Sequence, residues 1–164
     1  MSENETIRER FRPQQITTLF VGESAPDGEK RFFYRKNSQV YRYMKKAFDG
    51  KEDFLEWFKE KGYFLDDLIL DPVNKMKSRK RRRLRLESIP DLAKRISIYR
   101  PTNVVALMKA IEPMVNDAVA KAGLRDCRLY ATHFPGCGQQ NVFMSEIADI
   151  ISKLQTEELR YEQN

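Results

Sequence analysis

The residues able to do chemistry fall in three stretches, each next to or within an apolar run. Glu23 and Asp27 lie in GESAPDGEK, directly after ITTLFVG. A carboxylate there could orient or deprotonate a water. Asp27-Gly28 is equally a turn pair, so ordinary loop polarity is the competing reading. Phe32, Phe33 and Tyr34 follow as three consecutive rings in a polar neighbourhood. They either face the core or leave one flat wall on which a planar base stacks. Asp66 and Asp67 interrupt the apolar YFLDDLIL. Neighbouring residues on a strand point to opposite faces, so at least one of these acids faces a helix layer or a cleft. A buried carboxylate is costly unless paired, which makes the position a candidate site or a capping interaction. His133, the single histidine, stands in HFPGCG. Its imidazole either donates a hydrogen bond to a developing anion or belongs to plain loop surface.

A fourth signal is electrostatic. Lys75, Lys77, Arg79, Lys80, Arg81, Arg82, Arg83 and Arg85 follow one another with no acid between them. Removing these eight from a net charge of +6 leaves the remainder of the chain at −2, so the basic character is local. Such a patch suits a polyanion such as nucleic acid. A solvated helix face or a localisation tag is the plainer alternative.

Several classes are set aside. Of 164 residues, 41% are hydrophobic and 11% aromatic, enough for one core and against a wholly disordered chain. No apolar run approaches a membrane span, and MSENETIRERFRP has no signal-peptide core, so the chain reads as a soluble, cytoplasmic monomer (nucleoid-associated, or nuclear in a eukaryote). Cys127 and Cys137 are too few for a disulfide scaffold or a closed metal site, and one histidine with Cys137 offers too few ligands for zinc. No metal and no cofactor are expected. GESAPDGE lacks the glycine spacing of a phosphate-cradling loop, which disfavours nucleoside triphosphates.

The elements that must position these residues follow from periodicity. ITTLFVG, Tyr63 to Leu70, NVVAL and CRLYAT read as strands. Helical spacing recurs after Ser38, around Phe54–Phe58, from about Lys77 to Leu86, after Ser88, through Met114 and Val119, and from Val142 to Leu154. Residues 1–14 read as a flexible arm, 15–155 as one domain, and 156–164 as a polar tail. The alternation predicts an α/β fold, a three-layer α/β/α sandwich on a four-stranded parallel sheet. Ligands of such sheets sit beyond the C-terminal ends of the strands, where the loops carrying Glu23, Asp66 and His133 converge.

In order along the chain, TLFVGESAP, KRFF followed by NSQVYRYMKKAF, DLAKRISIYRPTNVVALM and ATHFPG resemble the uracil-DNA glycosylase superfamily, closest to its short thermophile-type branch. The likeness spans roughly Ile16 to Leu154. It implies the same sandwich and a monofunctional base excision, in which a damaged or deaminated base is flipped into a pocket at the strand ends and its N-glycosidic bond hydrolysed. It implies that Glu23 or Asp27 handles water and that Phe33 or Phe32 stacks on the base. Asp67 or Asp66 would read the base edge, His133 would stabilise the departing anion, and the Lys75–Arg85 run would hold DNA phosphates. An aspartate stands where uracil enzymes carry a reading asparagine, and an ionised aspartate only accepts hydrogen bonds. The cluster-binding cysteines of the branch are missing, so no iron–sulfur centre is implied. Two alternatives stay open: a non-catalytic nucleic-acid-binding module on the same fold, and a small nucleotide-binding protein sharing only the sandwich. Convergence of Glu23 or Asp27 with His133 on one pocket favours catalysis, and divergence favours binding.

Overall fold

A computed structural model describes residues 2–164. The β-branched and aromatic runs form four strands: β1 (Thr18–Ser24), β2 (Tyr63–Ile69), β3 (Asn103–Ala106) and β4 (Arg128–Ala131). They build one all-parallel sheet in the order β2-β1-β3-β4. β1 to β3 are buried on both faces, as expected of a parallel sheet between helix layers. β1 starts and ends two residues later than ITTLFVG suggested, and so carries Glu23 inside the strand.

Register partners of parallel strands share a face, which sorts the side chains cleanly. Phe20, Tyr63, Leu65 and Asp67 point to one layer, where Phe20 and Tyr63 meet Phe58. That layer holds α2 (Gln39–Ala47), α3 (Phe54–Glu60) and α7 (Gln140–Glu162). Leu19, Val21, Glu23, Asp66 and Leu68 point to the other, made by α4 (Ser78–Glu87), α5 (Ile89–Tyr99) and α6 (Glu112–Lys121). The expected α/β sandwich with a four-stranded parallel sheet is therefore present.

The N-terminal segment expected as a flexible arm is instead helix α1 (Glu3–Arg10). Ser2 caps it by accepting from the Glu5 N–H, and Glu3 and Glu5 begin it while Arg8 and Arg10 end it, matching the helix dipole. The segment expected as a polar tail continues α7 to Glu162, its later turns exposed. No helix of the described residues is long and apolar enough to cross a membrane.

Candidate nucleic-acid interface

Glu23 closes the inner end of β1, next to the crevice where the chain leaves β1 toward β2 on one side and β3 toward β4 on the other. It is 8% exposed. Helix α4 lays two arginines one turn apart over it. Arg81 donates from Nε to Oε1 at 2.7 Å and also from Nη2, and Arg85 donates from Nε to Oε2 at 2.5 Å and also pairs through Nη2. Both oxygens of the carboxylate are thus occupied by guanidinium groups, a two-pronged geometry favourable to ion pairing. Glu23 fixes a helix and is not poised as a base. Asp27 lies exposed in the following loop and faces no partner that would make it one.

The same clamp divides the basic run. Arg81 and Arg85, expected to hold phosphate, turn inward with half-buried Leu84. Lys75, Lys77, Arg79, Lys80, Arg82 and Arg83 stand on the exposed side. Arg83 pairs with Glu87 one turn on. Among the described residues no carboxylate lies within 4.0 Å of the other five.

The rings predicted to stack on a base are in the core. Phe32, Phe33 and Tyr34 are 2–4% exposed. Phe33 packs edge-on against Tyr41 and Phe54 and near Phe58, and Phe32 carries the Arg8 guanidinium over its face. Their polar flanks disguised them, because the apolar layer they fill comes from α2 and α3 further along the chain.

Asp66 and Asp67 do not open onto a reading pocket either. Both are buried, on opposite faces of the edge strand β2, and α1 passes along that edge. Arg8, 1% exposed, reaches both, with Nη1 on Asp66 Oδ1 at 2.8 Å and Nη2 on Asp67 Oδ2 at 2.5 Å. From α5, Arg95 donates to Asp66 Oδ2 at 2.5 Å, and the Tyr99 hydroxyl donates to the same oxygen at 3.1 Å. Glu5 adds a third carboxylate, 3.1 Å from Arg8 Nη1, so two arginines face three acids. Burial pushes Asp67 up to about 6, with Arg8 opposing the rise and Asp66 adding to it. Burial likewise opposes the charge on Arg8, yet the aspartates hold it above its ordinary value. Gly22, opposite Asp67 in register, makes the room: a Cβ there would lie 2.6 Å from Asp67 Oδ1.

This cluster also seals the sheet edge. The Tyr34 hydroxyl donates to Leu65 O at 2.9 Å and accepts from Leu65 N at 2.7 Å. Asp66 Oδ1 accepts from Asp67 N, and Arg95 donates to Asp67 O. The outward backbone groups of Leu65 and Asp67 are therefore capped by side chains, which blunts an edge otherwise ready to pair with another strand.

His133 lies beyond β4, two strands from Glu23, or about 10 Å at the usual strand spacing. Its Nδ1 sits 2.8 Å from Glu146 Oε1 on α7, and its backbone N–H donates to the same oxygen at 3.0 Å. Burial disfavours the Glu146 charge, but the two hydrogen bonds from His133 and the nearby Lys109 ammonium hold the carboxyl below its ordinary value. Arg8, Arg95, Tyr99 and Glu146 were missed by sequence reasoning. Only the Asp91–Arg95 spacing of one helical turn offered a local signal, and the rest are partnerships between distant segments.

Glu23 is taken up by the arginines of α4 and His133 by Glu146 of α7, so the two side chains are engaged by different helices. Two surface hollows of the described residues lie away from both, one at the N-terminal ends of β1 and β2 beside Gln15 and Gly62, the other between α6 and Leu129. No trio of histidine, cysteine or acidic residues among the described residues is placed to hold a metal. Cys127 is half-buried, which pushes its thiol up to about 11, and Cys137 is exposed; both are free. No protein-family model and no curated protein matches the sequence.

Proposed function

We propose that this protein is a non-catalytic nucleic-acid-binding module whose contact surface is the outer face of α4 with the segment leading into it. The observation that carries this reading is the division of labour within the basic run. Arg81 and Arg85 fasten the helix to Glu23, while Lys75, Lys77, Arg79, Lys80 and Arg82 project without a carboxylate partner. Cations held on an anchored helix meet phosphates without first having to fold. The occupied Glu23 carboxylate, the buried rings and the paired aspartates weigh against hydrolysis of a flipped base.

Five phosphate contacts correspond to a salt slope of about −4.5, or a loss of affinity of roughly 500-fold between 50 and 200 mM salt. The Arg79→Ser/Lys80→Ser/Arg82→Ser variant should reduce the slope to about −1.8 and the loss to about 12-fold. Fluorescence anisotropy with a labelled oligonucleotide measures both. Its thermal unfolding should match wild type, since the replaced side chains are exposed. An unchanged slope would reject α4 as the contact surface. Release of an altered base by wild type, lost in His133→Ala, would restore the glycosylase reading in its place.

A further inference from the structure

Resting on that reading, we infer that the α4 surface selects double-stranded over single-stranded nucleic acid. Proteins that hold single strands combine a basic groove with rings on which successive bases stack. Here the basic element has no ring to offer. No Phe, Tyr or Trp occurs between Phe64 and Tyr99, a span that contains the whole of α4 and its approach. The first three rings after β1 in sequence, Phe32, Phe33 and Tyr34, are sealed in the core. The exposed aromatics Phe134 and Tyr161 belong to the β4 loop and the last turn of α7. What α4 presents is charge alone, on a helix of ten residues held at two points by Glu23.

Charge alone favours the polyanion with the higher charge density. Ten helical residues extend about 15 Å. A duplex offers one phosphate charge per roughly 1.7 Å of its axis, so about nine lie alongside. Each contact releases about 0.9 of a counterion from a duplex against about 0.7 from a single strand. Over five contacts the difference is about one whole counterion, which at 0.1 M salt, relative to 1 M, amounts to about a tenfold preference for the duplex. The basic segment itself contributes no ring whose stacking would work in the opposite direction.

The test titrates the full chain against a labelled 20-nucleotide strand of mixed, non-self-complementary sequence and against its duplex, by anisotropy at 0.1 M salt and over a salt series. The expected result is binding about tenfold tighter to the duplex, with the steeper salt slope. Equal affinity, or tighter binding to the single strand, would overturn the duplex inference while leaving α4 a nucleic-acid surface. Binding to neither probe would overturn the underlying reading as well. A fall of the preference to about 2.5-fold in the Arg79→Ser/Lys80→Ser/Arg82→Ser variant, which keeps two of the five contacts, assigns it to α4, and an undiminished tenfold preference there would place it elsewhere and refute the inference.

Discussion

Replacing Arg8 by methionine tests whether α1 belongs to the fold or merely rests against it. The guanidinium is almost wholly buried and is the side-chain donor of Asp67, while Asp66 retains Arg95 and Tyr99. Methionine fills similar space but leaves a buried carboxylate unmatched, which costs about 3–5 kcal/mol. For a chain of this size, 1 kcal/mol corresponds to about 2–4 °C, so the midpoint should fall by about 6–20 °C. The loss carries a pH signature. Burial already holds Asp67 at about 6 in the folded state, and Arg8 restrains the rise. Without Arg8 the folded value climbs further above the unfolded one, near 3.9. A carboxyl raised on folding binds its proton more tightly in the native state, so its favourable contribution is complete below about pH 4 and drains away as pH rises through the folded value. The deficit of Arg8→Met relative to wild type should therefore be small at pH 5 and largest at pH 8. Thermal unfolding followed by circular dichroism at pH 5, 6.5 and 8 measures it, and adding Asp67→Asn should recover part of the loss at pH 8. A deficit under about 2 °C at pH 8, or one of equal size at pH 5 and 8, would refute the argument.

The edge seal and the close approach beneath it offer two further tests. Tyr34→Phe deletes a hydroxyl that serves both the N–H and the carbonyl of Leu65, and should destabilise by about 1–3 kcal/mol in urea unfolding. Wild-type stability in that variant would show that the edge needs no cap. Gly22→Ala places a methyl against Asp67 Oδ1 and should cost about 1–3 kcal/mol. Much of that cost should vanish when Asp67→Ala is the background, and strictly additive losses would contradict the contact.

How much of this was legible in the sequence depends on the range of the interaction. β1 and β3 were visible because runs such as LFV and VVA are apolar on both faces, as in a sheet covered on both sides, whereas β4 is half-exposed and was marked only by its short CRLYAT run. The strand order was not visible, since it is set by crossovers between distant segments. Helix α1 escaped notice because ENETIRER carries almost no apolar stripe. Its cap and end charges are local signals, but its anchor is an ion pair to residues 58 and 59 positions away. The Asp66–Asp67 pair shows the same split. That a buried acid there must be paired followed from physics alone, but the identity of its partners did not.

The acids that look catalytic in the linear sequence share a structural fate that bears on function. Glu23 is held by Arg81 and Arg85, Asp66 by Arg8 and Arg95, and Asp67 by Arg8. A general base needs a lone pair directed at the proton it takes, within hydrogen-bond reach. For Glu23 that lone pair becomes available only when Arg81 or Arg85 lets go, and both are built into the helix that carries the exposed cations. The inward arginines and the outward cations of α4 are therefore one device. The inward pair occupies the Glu23 carboxylate, and in doing so fixes the orientation in which α4 presents its outward charges. The basic run read as a patch of eight thus separates into an inward pair joining α4 to the sheet and an exposed set on the outer face of α4 and the segment before it.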